Sequence, residues 1–185
     1  MIYGFSLPGV GFTVGTALIA VHVFALLRQQ DVIPWLQRFP RSKSWGVALC
    51  SLAAVWALWM AATMDLGEFS PNRTLICGVI LAGAFMVPVF ADEFLSVRAT
   101  GILALLAAEP LLEAAFLRPE QTRLLLVVLA YLLAIGGLLL VGAPYLMRDA
   151  IQWISAGSLR YRALAISGVL YGAALVLVSW LFFSP

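Results

Sequence analysis

Ionisable side chains inside long apolar stretches are the residues of this sequence that could do chemistry, because a charge in hydrocarbon is expensive and is usually kept for a use. Glu109 and Glu113 stand one helical turn apart in the run Ala107-Ala108-Glu109-Pro110-Leu111-Leu112-Glu113, so on a helix their carboxyls share a face. Pro110 between them removes a backbone donor and can bend the helix. A carboxylate pair beside such a bend suits a cation or a proton, and Tyr131, at a matching depth on the following apolar run, can offer a hydroxyl to Glu109. The competing reading is structural, with Glu109 hydrogen-bonded to a neighbour and Glu113 reaching Arg118 or Arg123.

His22 is the only histidine. It could supply one axial ligand to a haem or pigment, or move protons, but no second residue with ligand spacing accompanies it. The plainer expectation is a histidine hydrogen-bonded between helices, and the sequence identifies no cofactor. Cys50 and Cys77 lie in separate apolar runs with no C-x-x-C or zinc spacing, which makes them small buried hydrophobes. Asp92-Glu93 with Arg98, and Asp65 and Glu68 with Arg73, fall at joints between apolar runs and read as helix-end clusters. There is no nucleophile elbow, H-E-x-x-H, phosphate-binding loop or dinucleotide fingerprint, and the one lysine, Lys43, lies outside the spans.

Two glycine pairs carry a packing signal in place of a chemical one. Gly11 and Gly15 in the first apolar run, and Gly168 and Gly172 in the last, have the small-xxx-small spacing that lets helix backbones approach closely, within a chain or between chains.

The elements that must position these residues follow from composition. Of 185 residues, 63% are hydrophobic and 11% charged, too few charges to coat a water-soluble domain of this size. The lipid bilayer must therefore be the main solvent. A net charge of +2, with the cations scattered among apolar runs, excludes nucleic acid as a partner class. A span must satisfy its own backbone hydrogen bonds, so a run of about 20 apolar residues is a helix. Six runs qualify, approximately 9–27, 45–64, 74–91, 97–117, 124–147 and 163–183. They predict an all-α fold, a single transmembrane domain over residues 1–185. The first run lacks the basic flank and cleavage site of a signal peptide, and is expected to be retained.

Arg28, Arg38, Arg41, Lys43, Arg98, Arg148, Arg160 and Arg162 fall on one side of the six-run topology, against Arg73, Arg118 and Arg123 on the other. The cation-rich side belongs in the cytoplasm, which makes both termini non-cytoplasmic. The two longest joints, 28–44 and 148–162, each mix a tryptophan (Trp35, Trp153), apolar residues and cations, and predict two short interfacial helices on the cytoplasmic side. Ten arginines against one lysine point to a bacterial inner membrane by compositional association.

Three functions are compatible with these residues. The leading one is a non-catalytic accessory or scaffold subunit that packs against other membrane chains or a second copy. The alternative is a small transporter or ion- or proton-conducting protein using Glu109, with Glu113 and Tyr131. The third is an intramembrane enzyme or cofactor binder built on His22 or the Asp92-Glu93 pair, ranked last because catalysis needs converging polar groups.

Overall fold

Runs rich in leucine, alanine and valine propagate helix, and a computed structural model of the chain is built from helices. It describes residues 3–90, 93–120 and 123–182. The long helices are α1 (Leu7–Leu27), α3 (Lys43–Thr63), α4 (Arg73–Phe90), α5 (Leu95–Ala115), α6 (Arg123–Gly142) and α8 (Ser158–Phe182). Between them lie two short ones, α2 (Gln29–Arg38) and α7 (Tyr145–Ser155), and the 3₁₀ segments Phe39–Arg41 and Gly67–Asn72. Six helices are long and apolar enough to cross a membrane, and the chain reads as a multi-pass membrane protein.

The expected spans fall on these helices with shifts that have local causes. The fifth run stops at Gly142, five residues early, because Pro144 cannot continue the helix and stands directly before α7. The fourth stops at Ala115, since Leu117 turns into the left-handed region at φ 54°. The sixth starts at Ser158, five residues early. Pro88 and Pro110 sit inside α4 and α5 without ending them. The expected last residues of the third and sixth spans, Ala91 and Phe183, lie outside the described residues.

Capping is specific. The Ser6 hydroxyl accepts from Gly9 N, and that of Ser42 accepts from Trp45 N, each satisfying one free amide of a first helical turn. At the opposite ends, arginines cover carbonyls that have no partner in their own helix. Arg73 donates to Ala62 O at 2.6 Å and Met64 O at 2.7 Å, closing the corner between α3 and α4. Arg123 donates to Ala115 O at 3.4 Å, closing that between α5 and α6.

The helices pack as two groups. Antiparallel α1 and α8 form one; in the other, α5 lies between α3 and α6, with α4 outermost against α3. Glycine sets the close contacts. A Cβ on Gly15 would stand 2.7 Å from Gly172 O, and one on Gly172 would stand 2.7 Å from Gly15 O, so neither position admits alanine without separating the helices. Gly101 and Gly137 make the same reciprocal contact between α5 and α6, at 2.8 and 2.7 Å. Gly46 of α3 gives way to Leu95 and Ser96 of α5. The two groups meet in one core, where Leu7 and Val10 of α1 and Leu175 of α8 pack with Ala108, Leu111 and Ala114 of α5 and Leu126 and Ala130 of α6. Bulky side chains such as Phe24, Phe85, Leu138 and Leu170 cover the outside, as befits a surface solvated by hydrocarbon.

Candidate functional site

Polar groups in such a bundle are few, and the structure gathers most of the unusual ones at one end of α5. Glu109 lies six residues before the end of that helix, about 9 Å by helical rise. Its Oε2 atom is buried with no hydrogen-bond partner among the described residues. Glu113 stands one turn on, on the same face of the helix.

The segment before α1 closes over this pair. Glu113 Oε1 accepts from Tyr3 N and Gly4 N, both at 3.1 Å, and its Oε2 accepts from Tyr3 N at 3.3 Å. Gly4 adopts φ 60°, a conformation that an L side chain resists, and this turns two successive amides toward the same carboxylate. The Tyr3 ring packs on Phe5 and Trp59, and its hydroxyl accepts from Trp56 Nε1 at 2.7 Å. Burial pushes the Tyr3 phenol above its ordinary pKa; the Trp56 bond opposes that rise, and Glu109 and Glu113 add to it. A cleft of about 220 Å³, lined by Gly4, Phe5, Glu113 and Arg118 among others, reaches Glu113 from that end of the bundle.

The phenol beside the carboxyls is therefore Tyr3, not the expected Tyr131, which points outward from α6 and is 57% exposed. Matching depth by helical rise could not give the direction of Tyr131 around α6. Tyr3 and Trp56 carried no sequence signal, because one precedes the first span and the other is one of several tryptophans. Toward the other end of α5 the polar side chains are Thr100 and Ser96, which bond Ser96 O and Phe39 O, and Arg98, whose Nε is buried without a hydrogen-bond partner among the described residues.

His22 sits at the other end of α1. Its Nδ1 is 2.8 Å from Leu18 O, and its ring lies on Gly168, where a Cβ would come within 2.2 Å of it. The four glycines singled out by spacing thus serve contacts within the chain: Gly15 on Gly172, Gly168 under His22, and Gly11 under Ser179. Gly101 and Gly137 were missed because each is a lone contact glycine without a partner at the i+4 spacing.

The remaining polar joints stay apart. Glu93 is exposed, and Asp92 lies outside the described residues. Asp65 accepts from Gly67 N at 2.9 Å within its own turn. Among the described residues no group of three His, Cys, Asp or Glu side chains could hold a metal ion, and Cys50 and Cys77 are free thiols. Comparison with known proteins returns no match: no family model, no curated protein and no solved structure matches this chain.

Proposed function

We propose that the chain is a non-catalytic, multi-pass accessory or scaffold subunit that packs against a second membrane chain through the outer face of α4. The observation that carries this reading is the unused surface of that helix. No residue of α4 is buried, and among the long helices its main packing partner is α3. Elsewhere in the chain, close helix contacts are made on glycine, whereas Gly78 of α4 meets nothing within 4 Å. Gly78 and Ala82 are both exposed and stand one turn apart, flanked by Leu75, Val79 and Phe85. Lipid gives apolar surfaces no reason to associate, so small residues that permit close backbone approach are what support a helix–helix contact in a membrane.

Orientation belongs to the same proposal. The loop cations support a cytoplasmic placement of α2 and α7, with both termini on the opposite side. α2 and α7 are the most amphipathic helices of the chain, and Arg160 stacks on Trp153 at 4.8 Å, an arrangement suited to a headgroup layer. The arginine bias is the support for a bacterial inner membrane.

The test is gentle solubilisation followed by native mass measurement, with Val79→Cys introduced into a chain whose Cys50 and Cys77 are serine. The expected result is a complex of fixed stoichiometry, cross-linked through residue 79 and lost in Gly78→Leu. A monodisperse monomer with no cross-link in native membranes would reject the reading.

The second reading is transport of a proton or cation at Glu109. Its specific support is the buried, unpartnered Oε2 beside a cleft that reaches Glu113. Glu109→Gln should then abolish flux in liposomes while the protein stays folded; undiminished flux in that variant rejects it.

A further inference from the structure

An apolar cavity lies far from the carboxyl pair, between α1, α2, α7 and α8. It holds about 680 Å³ and is lined by Val21, Ala25, Trp35, Ile154 and Leu164 among others, within the roughly 300–1,000 Å³ usual for a ligand pocket. Its wall is almost wholly apolar, and two of the polar side chains on it, Tyr161 and His22, already make hydrogen bonds within the chain. Tyr161 donates its hydroxyl to Ala25 O at 2.9 Å, and His22 Nδ1 is held by Leu18 O at 2.8 Å. The slot therefore offers hydrocarbon contact and no free hydroxyl donor. Its rim, at Val21, Phe24 and Leu164, is exposed on the lipid-facing side of the bundle.

The mouth has the opposite character. A second cavity adjoins the slot at Asp31 and is lined by Arg28, Gln29, Gln30 and Arg162. Arg28 pairs with Asp31 at 3.5 Å, which offsets that one acid. Arg162 is exposed, and its Nε donates to Gln29 Oε1 at 3.5 Å. An apolar slot that opens on arginine and amide donors matches an amphiphile with a hydrocarbon tail and an anionic head.

We infer that the slot binds an anionic phospholipid of the surrounding bilayer, with one acyl chain against Trp35 and Ile154 and the phosphate at Arg28 and Arg162. The charge complementarity selects an anionic over a zwitterionic headgroup, and the predominantly apolar wall, with the Tyr161 hydroxyl already bonded to Ala25 O, selects a plain chain over a polar ring. This site is separate from the α4 face and does not depend on it.

The experiment places the full chain in nanodiscs of phosphatidylcholine with either phosphatidylglycerol or further phosphatidylcholine, the added lipid carrying brominated chains. Brominated phosphatidylglycerol should quench the fluorescence component that Trp35→Phe removes, and brominated phosphatidylcholine should not. Native mass spectrometry should show retained phosphatidylglycerol, reduced about fivefold by Arg28→Gln or Arg162→Gln alone and about 30-fold by both. Both arginines are exposed, so these variants keep the fold. Equal quenching by the two lipids, or undiminished phosphatidylglycerol retention in the double variant, overturns the inference.

Discussion

α4 and α5 are helices of similar length and apolar character, yet one has no buried residue and the other ten. What separates them is side-chain size and polarity more than hydrophobicity. Along α5 the buried positions are mostly small or polar, including Ser96, Ala99, Gly101, Ala108, Ala114 and Ala115. Along α4 the outward face carries Leu75, Val79, Phe85, Met86 and Val89. In water the larger apolar residues would mark the inside. In lipid, bulky residues are solvated as well outside as in, and the interior goes to whatever packs most closely. α5 also bends its backbone at each end, with Phe94 at φ 58° and Leu117 at φ 54°. Left-handed backbone at a bulky residue is uncommon and is retained only where surrounding packing imposes it.

The sharpest way to break that comparison is to place the same side chain on both helices. Gly101→Leu would drive a side chain into Gly137 O and Leu140, and overpacking of this kind costs about 1–3 kcal/mol or more. Gly78→Leu points into open space and should change the stability of the isolated chain by no more than about 0.5 kcal/mol. Reversible unfolding in mixed micelles measures both. Equal destabilisation would mean that α4 is as buried as α5 and that the contrast is false.

A second test removes the acceptor at the end of α5. Glu113→Ala deletes the carboxylate that holds the Tyr3 and Gly4 amides, and bonds to a charged acceptor contribute about 1.5–3 kcal/mol. Amide exchange at those two residues should become fast while the α5 amides stay protected. Unchanged protection at Gly4 would mean that the segment is held by Tyr3 packing alone. Trp56→Phe isolates that remaining contact; it removes the donor to the Tyr3 hydroxyl and should weaken docking of the segment by about 1 kcal/mol, read by protease cleavage near the N-terminus.

The same contrast explains what was legible in the sequence. The six long helices follow from apolar length, since a backbone in lipid has no alternative to helix. The two short amphipathic helices follow from cations and tryptophans beside an apolar stripe. The glycines at 11, 15, 168 and 172 announced close packing because their spacing repeats on one face. What spacing cannot give is the direction in which a helix faces. Every side of α6 is apolar, so nothing marked Tyr131 as outward or Gly137 as inward. The carboxyls at Glu109 and Glu113 stood out by type, but the partners of Glu113 come from residues 3 and 4, more than a hundred positions away. A three-dimensional contact of that range leaves no periodic trace.

The smallest expected effect is on pH dependence, and it separates the phenol from the carboxylate as the tether of the N-terminal segment. Burial raises the Tyr3 pKa in the docked state, with the Trp56 bond in opposition and the carboxyls in support of the rise, whereas the undocked phenol titrates near its ordinary value of about 10. A raised docked value means that the protonated phenol is the form the docked state prefers. Its contribution is then fully present below the undocked pKa and is lost as pH climbs through the docked one. Cleavage of the segment, followed from about pH 8 to pH 11, should accelerate at the alkaline end in the native chain beyond the protease's own pH dependence. In Tyr3→Phe, which cannot ionise and no longer accepts from Trp56, cleavage should be faster throughout and should lack that extra alkaline rise. Identical alkaline profiles for the two chains would assign the release to another group and leave Glu113 as the sole polar tether.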